Sequence, residues 1–212
     1  MRAYLLPLAL LGVVQTSAAQ AADEIFEFWV TPSVEAKLGR GRVELETSHR
    51  IRDGRDDTHF VRLWYSQSIA KGVTLYGGIE QRVTGQTGER RLHQQLSYKT
   101  GIFRGRTRLE QRFVEDNPLM GLRVRQRLGF SIPIGTSKRL AAVANVEGFM
   151  TLRATTATGQ TGLTAVRTLI GVNYKVSDNL DVGLGYLRAQ DIRRGAADRV
   201  GHAPALTLSF SL

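Results

Sequence analysis

The chain contains no cysteine, and its 212 residues include only four histidines, five prolines and two tryptophans. Without cysteine there is no disulfide framework, no thiol nucleophile and no cysteine-ligated zinc. The histidines never pair at close sequence spacing, so neither a histidine-based metal site nor a cofactor is expected. Beyond the N-terminal segment no apolar run approaches the ~20 residues that a membrane-spanning helix needs. Wholesale disorder is excluded too, because 42% of the residues are hydrophobic and 23% charged. What the chain has in excess is positive charge, with 29 Lys and Arg against 19 Asp and Glu. A basic balance of that size ordinarily suggests nucleic acid. The placement of the arginines argues otherwise.

The first segment reads as an export signal. Met1-Arg2 is a positive start, and Ala3 to Val14 is apolar apart from Pro7 and Gly12. A polar, small-residue stretch follows, and Ala19-Gln20-Ala21 has the A-x-A form of a secretory cleavage site. The expected division is a signal peptide over residues 1–21, cut after Ala21, and one domain over 22–212. An exported protein has little occasion to meet nucleic acid, and none is expected as a partner.

Period-two alternation runs through the rest of the chain. From Gly121 to Pro133 the even positions carry Leu122, Val124, Gln126, Leu128, Phe130 and Ile132, and the odd ones Arg123, Arg125, Arg127, Gly129 and Ser131. A helix would spread these arginines around its circumference, whereas a strand puts them on one face. Val61, Leu63 and Tyr65 likewise oppose Arg62, Trp64 and Ser66, and Val166, Ile170, Val172 and Tyr174 oppose Arg167 and Asn173. The protein is therefore all-β.

Short turns such as Gly39-Arg40-Gly41 and Ala70-Lys71-Gly72 alternate with longer polar segments near Gly54, Gly85 to Glu89, Glu115 to Pro118, Ala154 to Thr161 and Gln190 to Gly201. Short turns at one rim and longer loops at the other are how an outer-membrane barrel is built. Tyr65, Tyr98, Phe130, Tyr174 and Phe210 fall near the short-turn ends of their strands, and Phe113 and Tyr186 near the long-loop ends. Two such bands match interfacial aromatic girdles. A soluble secreted barrel shows the same alternation turned inside out. The export signal, the rim asymmetry and the glycines on the polar face favour the membrane.

The chain also resembles a known family, the DUF2490 proteins. The resemblance is carried by Phe28-Trp29, by His93-Gln94-Gln95-Leu96-Ser97-Tyr98, and by Arg106-Thr107-Arg108-Leu109-Glu110-Gln111-Arg112-Phe113 followed by Gly121 to Arg127. Gly171 to Asp178, Gly185-Tyr186-Leu187 and Leu206 to Leu212 continue it. It implies a bacterial outer-membrane barrel and supplies no activity. The terminus departs from the usual barrel pattern, ending in Leu212 where an aromatic is common, with Phe210 two residues before it.

Eleven strands can be counted if Ile25 to Leu38 is the first. Bacterial single-chain barrels have even numbers, with both termini on the periplasmic side. The expectation is therefore an antiparallel up-and-down transmembrane barrel of about twelve strands, with one strand hidden. The alternative is ten, with the first segment broken from the wall at Pro32.

In such a barrel the polar faces line a lumen. Arg106, Arg108, Arg112, Arg123, Arg125 and Arg127 fall on two neighbouring strands, and Arg167 joins them from a third. Guanidinium forks suit carboxylate and phosphate, and rings of arginine select anions in pores. One expectation is a small porin-like channel or binder for anionic solutes such as acidic oligosaccharides or phosphorylated metabolites. The other is a closed barrel in which Glu44, Glu46, Glu80, Glu110 and Glu147 pair with the arginines and fill the interior. That barrel has a structural or partner-binding role. The further partners expected are outer-membrane lipids, lipopolysaccharide and the barrel-assembly machinery.

Catalysis is not expected. Ser48 and His49 are consecutive on a strand and face opposite sides, and no other chain-local Ser-His-acid set occurs. A lipid-modifying outer-membrane enzyme is the lesser alternative. Gly183 and Gly185 precede no helical pattern, so they are inner-face glycines and not a nucleotide loop.

Overall fold

The structure is a computed structural model that describes residues 22–212. The expected signal peptide lies outside the described residues. Eleven strands follow one another: β1 (Asp23–Leu38), β2 (Gly41–Arg52), β3 (Thr58–Ala70), β4 (Val73–Thr84), β5 (Thr87–Thr100), β6 (Phe103–Val114), β7 (Gly121–Ile134), β8 (Leu140–Arg153), β9 (Gly162–Lys175), β10 (Leu180–Asp191) and β11 (Arg199–Ser211). Each pairs antiparallel with the next, and β1 pairs with β11 to close a barrel.

One rim carries the turns at 39–40, 71–72, 101–102, 135–139 and 176–179; the other carries 53–57, 85–86, 115–120, 154–161 and 192–198. The expected longer loop at Gly85 to Glu89 is instead a tight turn of Gly85 and Gln86, because Thr87 already pairs with Thr84. Gly85 has φ +57°, the left-handed conformation that such a turn needs.

Closure differs from the expected even count. Each hairpin reverses the chain, so an odd number of strands leaves the first and last running the same way. β1 and β11 accordingly pair in parallel, with Trp29 beside Ala205 and Val30 beside Leu206. No twelfth strand exists among the described residues, and Pro32 does not detach β1 from the wall. The β1–β2 ladder pairs Val30 with His49 and resumes in the same register at Ser33 and Glu46. Pro32, which has no N–H to give, is absorbed in the gap between those pairs. The two ends of the barrel wall thus lie at opposite rims: the Asp23 N–H donates to Asp198 O at the loop rim, and the Leu212 N–H donates to Glu35 O at the turn rim.

The faces are inverted relative to an ordinary globular domain. Among the described residues the buried side chains include sixteen polar or charged ones and only eight hydrophobic ones. Leu45, Leu63, Ile79, Leu92, Leu128, Val146, Ile170 and Leu184 all point outward and are exposed. The outward aromatics separate as expected, with Tyr65, Phe130, Tyr174 and Phe210 toward the turn rim and Phe113 and Tyr186 toward the loop rim. Phe26 and Phe28 add to the loop-rim band.

Candidate functional site: an arginine-rich cup over a salt-bridged layer

Much of the interior is filled by a layer of acidic and basic side chains, and in two of its rows residues directly opposed across neighbouring strands differ in sign or pair imidazole with acid. Glu46, Arg62, Glu80 and Arg91 form one such row across β2 to β5. His93, Glu110 and Arg123 form another across β5 to β7. Opposite charges at directly opposed positions attract, so register assembles these two rows.

Two carboxylates organise it. Glu80 accepts from Arg62 Nε at 2.7 Å and from Arg82 Nε at 2.8 Å, with Arg91 Nη1 3.4 Å away. Glu110 accepts from Arg123 Nε and Arg125 Nη1, each at 2.8 Å. Between the two stands His93, whose Nε2 lies 3.4 Å from Glu80 and whose Nδ1 lies 3.7 Å from Glu110. Glu110, Glu80 and His93 are 0–3% exposed, which places the centre of the network out of contact with water.

The layer continues around the wall. Arg106 faces Arg127 and Arg108 faces Arg125 directly across β6 and β7, like-charged pairs that repel. Glu147 on β8 relieves part of this strain, accepting from Arg125 Nη2 at 2.8 Å and from Arg106. Arg108 donates through Nε to Gln95 Oε1 at 2.8 Å. Glu89 takes Arg112 Nε at 2.6 Å, and Glu46 takes Arg62 Nη1 at 3.0 Å and the Trp64 indole N–H at 3.2 Å. Trp64 lies over Gly78, where any Cβ would collide with its ring.

Not every arginine is neutralised. Among the described residues Arg50, Arg127 and Arg167 have no carboxylate partner within ion-pair distance. Arg50 is 9% exposed, and its guanidinium sits 3.8 Å from the Trp29 ring centroid while its Nε has no hydrogen-bond partner. Arg167 lies 4.9 Å from Trp29 and 4.6 Å from Phe149. Aromatic faces thus hold these cations where carboxylates are missing.

Arg50, Arg125 and Arg167 form part of the lining of a cup of about 300 Å³. Ten arginines and three acids, Glu27, Glu89 and Asp191, line it. Arg55 comes from the 53–57 loop, and burial followed by the nearby Arg199 and Arg52 pushes its guanidinium below the usual arginine range. On the other side a vestibule of about 710 Å³ is lined by residues of the short-turn rim, with Glu35, Tyr76, Arg104 and Arg127 among them. A smaller cavity of about 160 Å³ touches Arg50, Arg125 and Arg167 above and Arg127 below.

Of the site residues expected from sequence, Arg106, Arg108, Arg112, Arg123, Arg125, Glu46, Glu80, Glu110 and Glu147 all join the ion-pair layer. Arg127 and Arg167 face the lumen without a counter-charge, and Glu44 makes no ion pair among the described residues. Sequence reasoning missed Arg50, Glu89, His93 and the stacking rings Trp29, Phe60 and Phe149. Their inward parity was readable from the alternation, but which of them meet depends on register.

The fold and the lumen define the class: a closed β-barrel with an apolar exterior and a buried Arg/Glu network. The chain belongs to the DUF2490 family, described as a protein family of unknown function, whose model matches residues 26–200. It is also similar to an uncharacterized protein of Methylorubrum extorquens, 26% identical over 216 aligned residues that cover 95% of each chain.

Proposed function

We propose that this chain is a bacterial outer-membrane barrel, exported by a signal peptide over residues 1–21, that binds an anionic solute in its arginine cup without conducting it. The membrane reading is supported by the outward apolar belt and its two aromatic bands, a surface that lipid solvates and water does not. Lipopolysaccharide and outer-membrane lipids are then its surroundings, and the assembly machinery its partner in folding. β1 starts two residues past the expected cut.

The observation that carries the binding role is Arg50. A buried guanidinium without a carboxylate is costly to leave unpaired. In a cup with ten arginines and three acids, its natural partner comes from outside the chain. The volume suits a small solute bearing a carboxylate or phosphate, which a guanidinium fork grips bidentately. The role is one of binding and not of catalysis. Passage of anions is the second reading, favoured by the small cavity that shares lining residues with both cup and vestibule.

Tryptophan fluorescence tests the proposal, because Trp29 stacks on Arg50. In a Trp64→Phe background, Trp29 is the one remaining indole. Glucose 6-phosphate or a uronic-acid oligosaccharide is expected to give a saturable change, lost in Arg50→Gln and kept in Arg127→Gln. No saturable change, or one indifferent to Arg50→Gln, would overturn the binding role.

A further inference from the structure

His49 and His59 are ten residues apart in sequence and directly opposed across β2 and β3. Both point outward near the loop rim, their rings edge to face with centroids 4.0 Å apart. Asp57, at the end of the connecting loop, reaches the same spot, with its Oδ2 3.6 Å from His49 Nε2. We propose that His49, His59 and Asp57 form a binding site for a divalent transition-metal ion on the outer surface of the barrel.

The geometry is close to that of a coordination shell. One ligand atom from each of the three residues lies within 4.8 Å of the others. Four-coordinate zinc, with bonds of ~2.0–2.1 Å, needs its donors about 3.4 Å apart, so modest rotation of the imidazoles closes the set. The carboxylate is held in place: Asp57 Oδ1 accepts the Arg52 backbone N–H at 3.0 Å, leaving Oδ2 turned toward His49. Such an orienting bond is what metal sites use to fix their ligands.

The setting favours the ion as well. Along the row of directly paired positions, Val30 flanks His49 on β1 and Val83 flanks His59 on β4. The imidazoles therefore meet no competing cation or alternative acceptor from their immediate neighbours in that row. Two imidazoles and one carboxylate suit zinc or copper and leave open positions for water or a phosphate oxygen. The other two histidines have different roles, His93 within the ion-pair layer and His202 bonded to Tyr186.

The test is a titration of the untagged protein in detergent micelles, with folding verified by heat-dependent electrophoretic mobility. Calorimetry with Zn²⁺ is expected to give one ion per barrel. His49→Ala and His59→Ala should each weaken binding about tenfold or more, while His202→Ala leaves it unchanged. Cu²⁺ on the unaltered protein should show electron paramagnetic splitting from two nitrogens, a readout that does not depend on any variant folding. No stoichiometric Zn²⁺ binding, binding that survives the double variant, or a copper spectrum with oxygen ligands alone would overturn the site.

Discussion

Arg125 bridges Glu110 and Glu147, the two acids that serve the crowded β6–β7 side of the lumen. Removing one partner of a buried pair leaves the other uncompensated, at about 3–5 kcal/mol. Arg125→Gln is therefore expected to lower stability by about that amount in urea unfolding. Arg127 faces Arg106 and has no carboxylate within ion-pair distance among the described residues. Arg127→Gln removes a repulsion and should change stability by less than about 0.5 kcal/mol in either direction. Equal losses from both substitutions would mean that the layer is held by packing and not by its charge pairs. The same contrast separates a structural arginine from Arg50, which stacks on Trp29 and has no acid to lose.

At the level of the strand, facing was legible from sequence because a period of two leaves a residue no choice once its neighbours are set. Leu128 on β7 and Val172 on β9 point outward, as the alternation requires. In the outer-membrane barrel proposed above, arginine at either position would put charge on the lipid face, costing ~2–4 kcal/mol at mid-bilayer. Leu128→Arg and Val172→Arg should therefore abolish the heat-modifiable band in membranes, and normal insertion of both would contradict the facing. Strand number was not legible in the same way. The alternation counts eleven strands, whereas the even numbers usual in bacterial single-chain barrels point to twelve or ten. Nothing local in Asp23–Leu38 or Arg199–Ser211 announces that they pair with each other, since parallel closure joins segments at opposite ends of the chain. Val30 and Leu206 lie side by side across that seam, on the outer face. In a chain without cysteine, Val30→Cys with Leu206→Cys should crosslink within one molecule. Crosslinking of Val30→Cys only to a residue of another strand would disprove the seam.

Taken whole, the molecule keeps its charge inside and its apolar surface outside. The sequence showed this inversion in outline, because arginines alternate with aliphatics on strand after strand. Whether the lumen was open or closed depended on contacts that span strands far apart in the chain, such as Arg106 with Glu147 and His93 between Glu80 and Glu110. Only the three-dimensional register brings those together. The result is a cup at one rim and a vestibule at the other, with buried charge between them and a small cavity that shares lining residues with both. Single-channel recording in a planar bilayer most directly tests the proposal that the barrel binds without conducting. Verified, inserted barrels should show no discrete conductance steps in a salt gradient. Reproducible steps with a reversal potential favouring anions would contradict that proposal and make the arginines the lining of a pore.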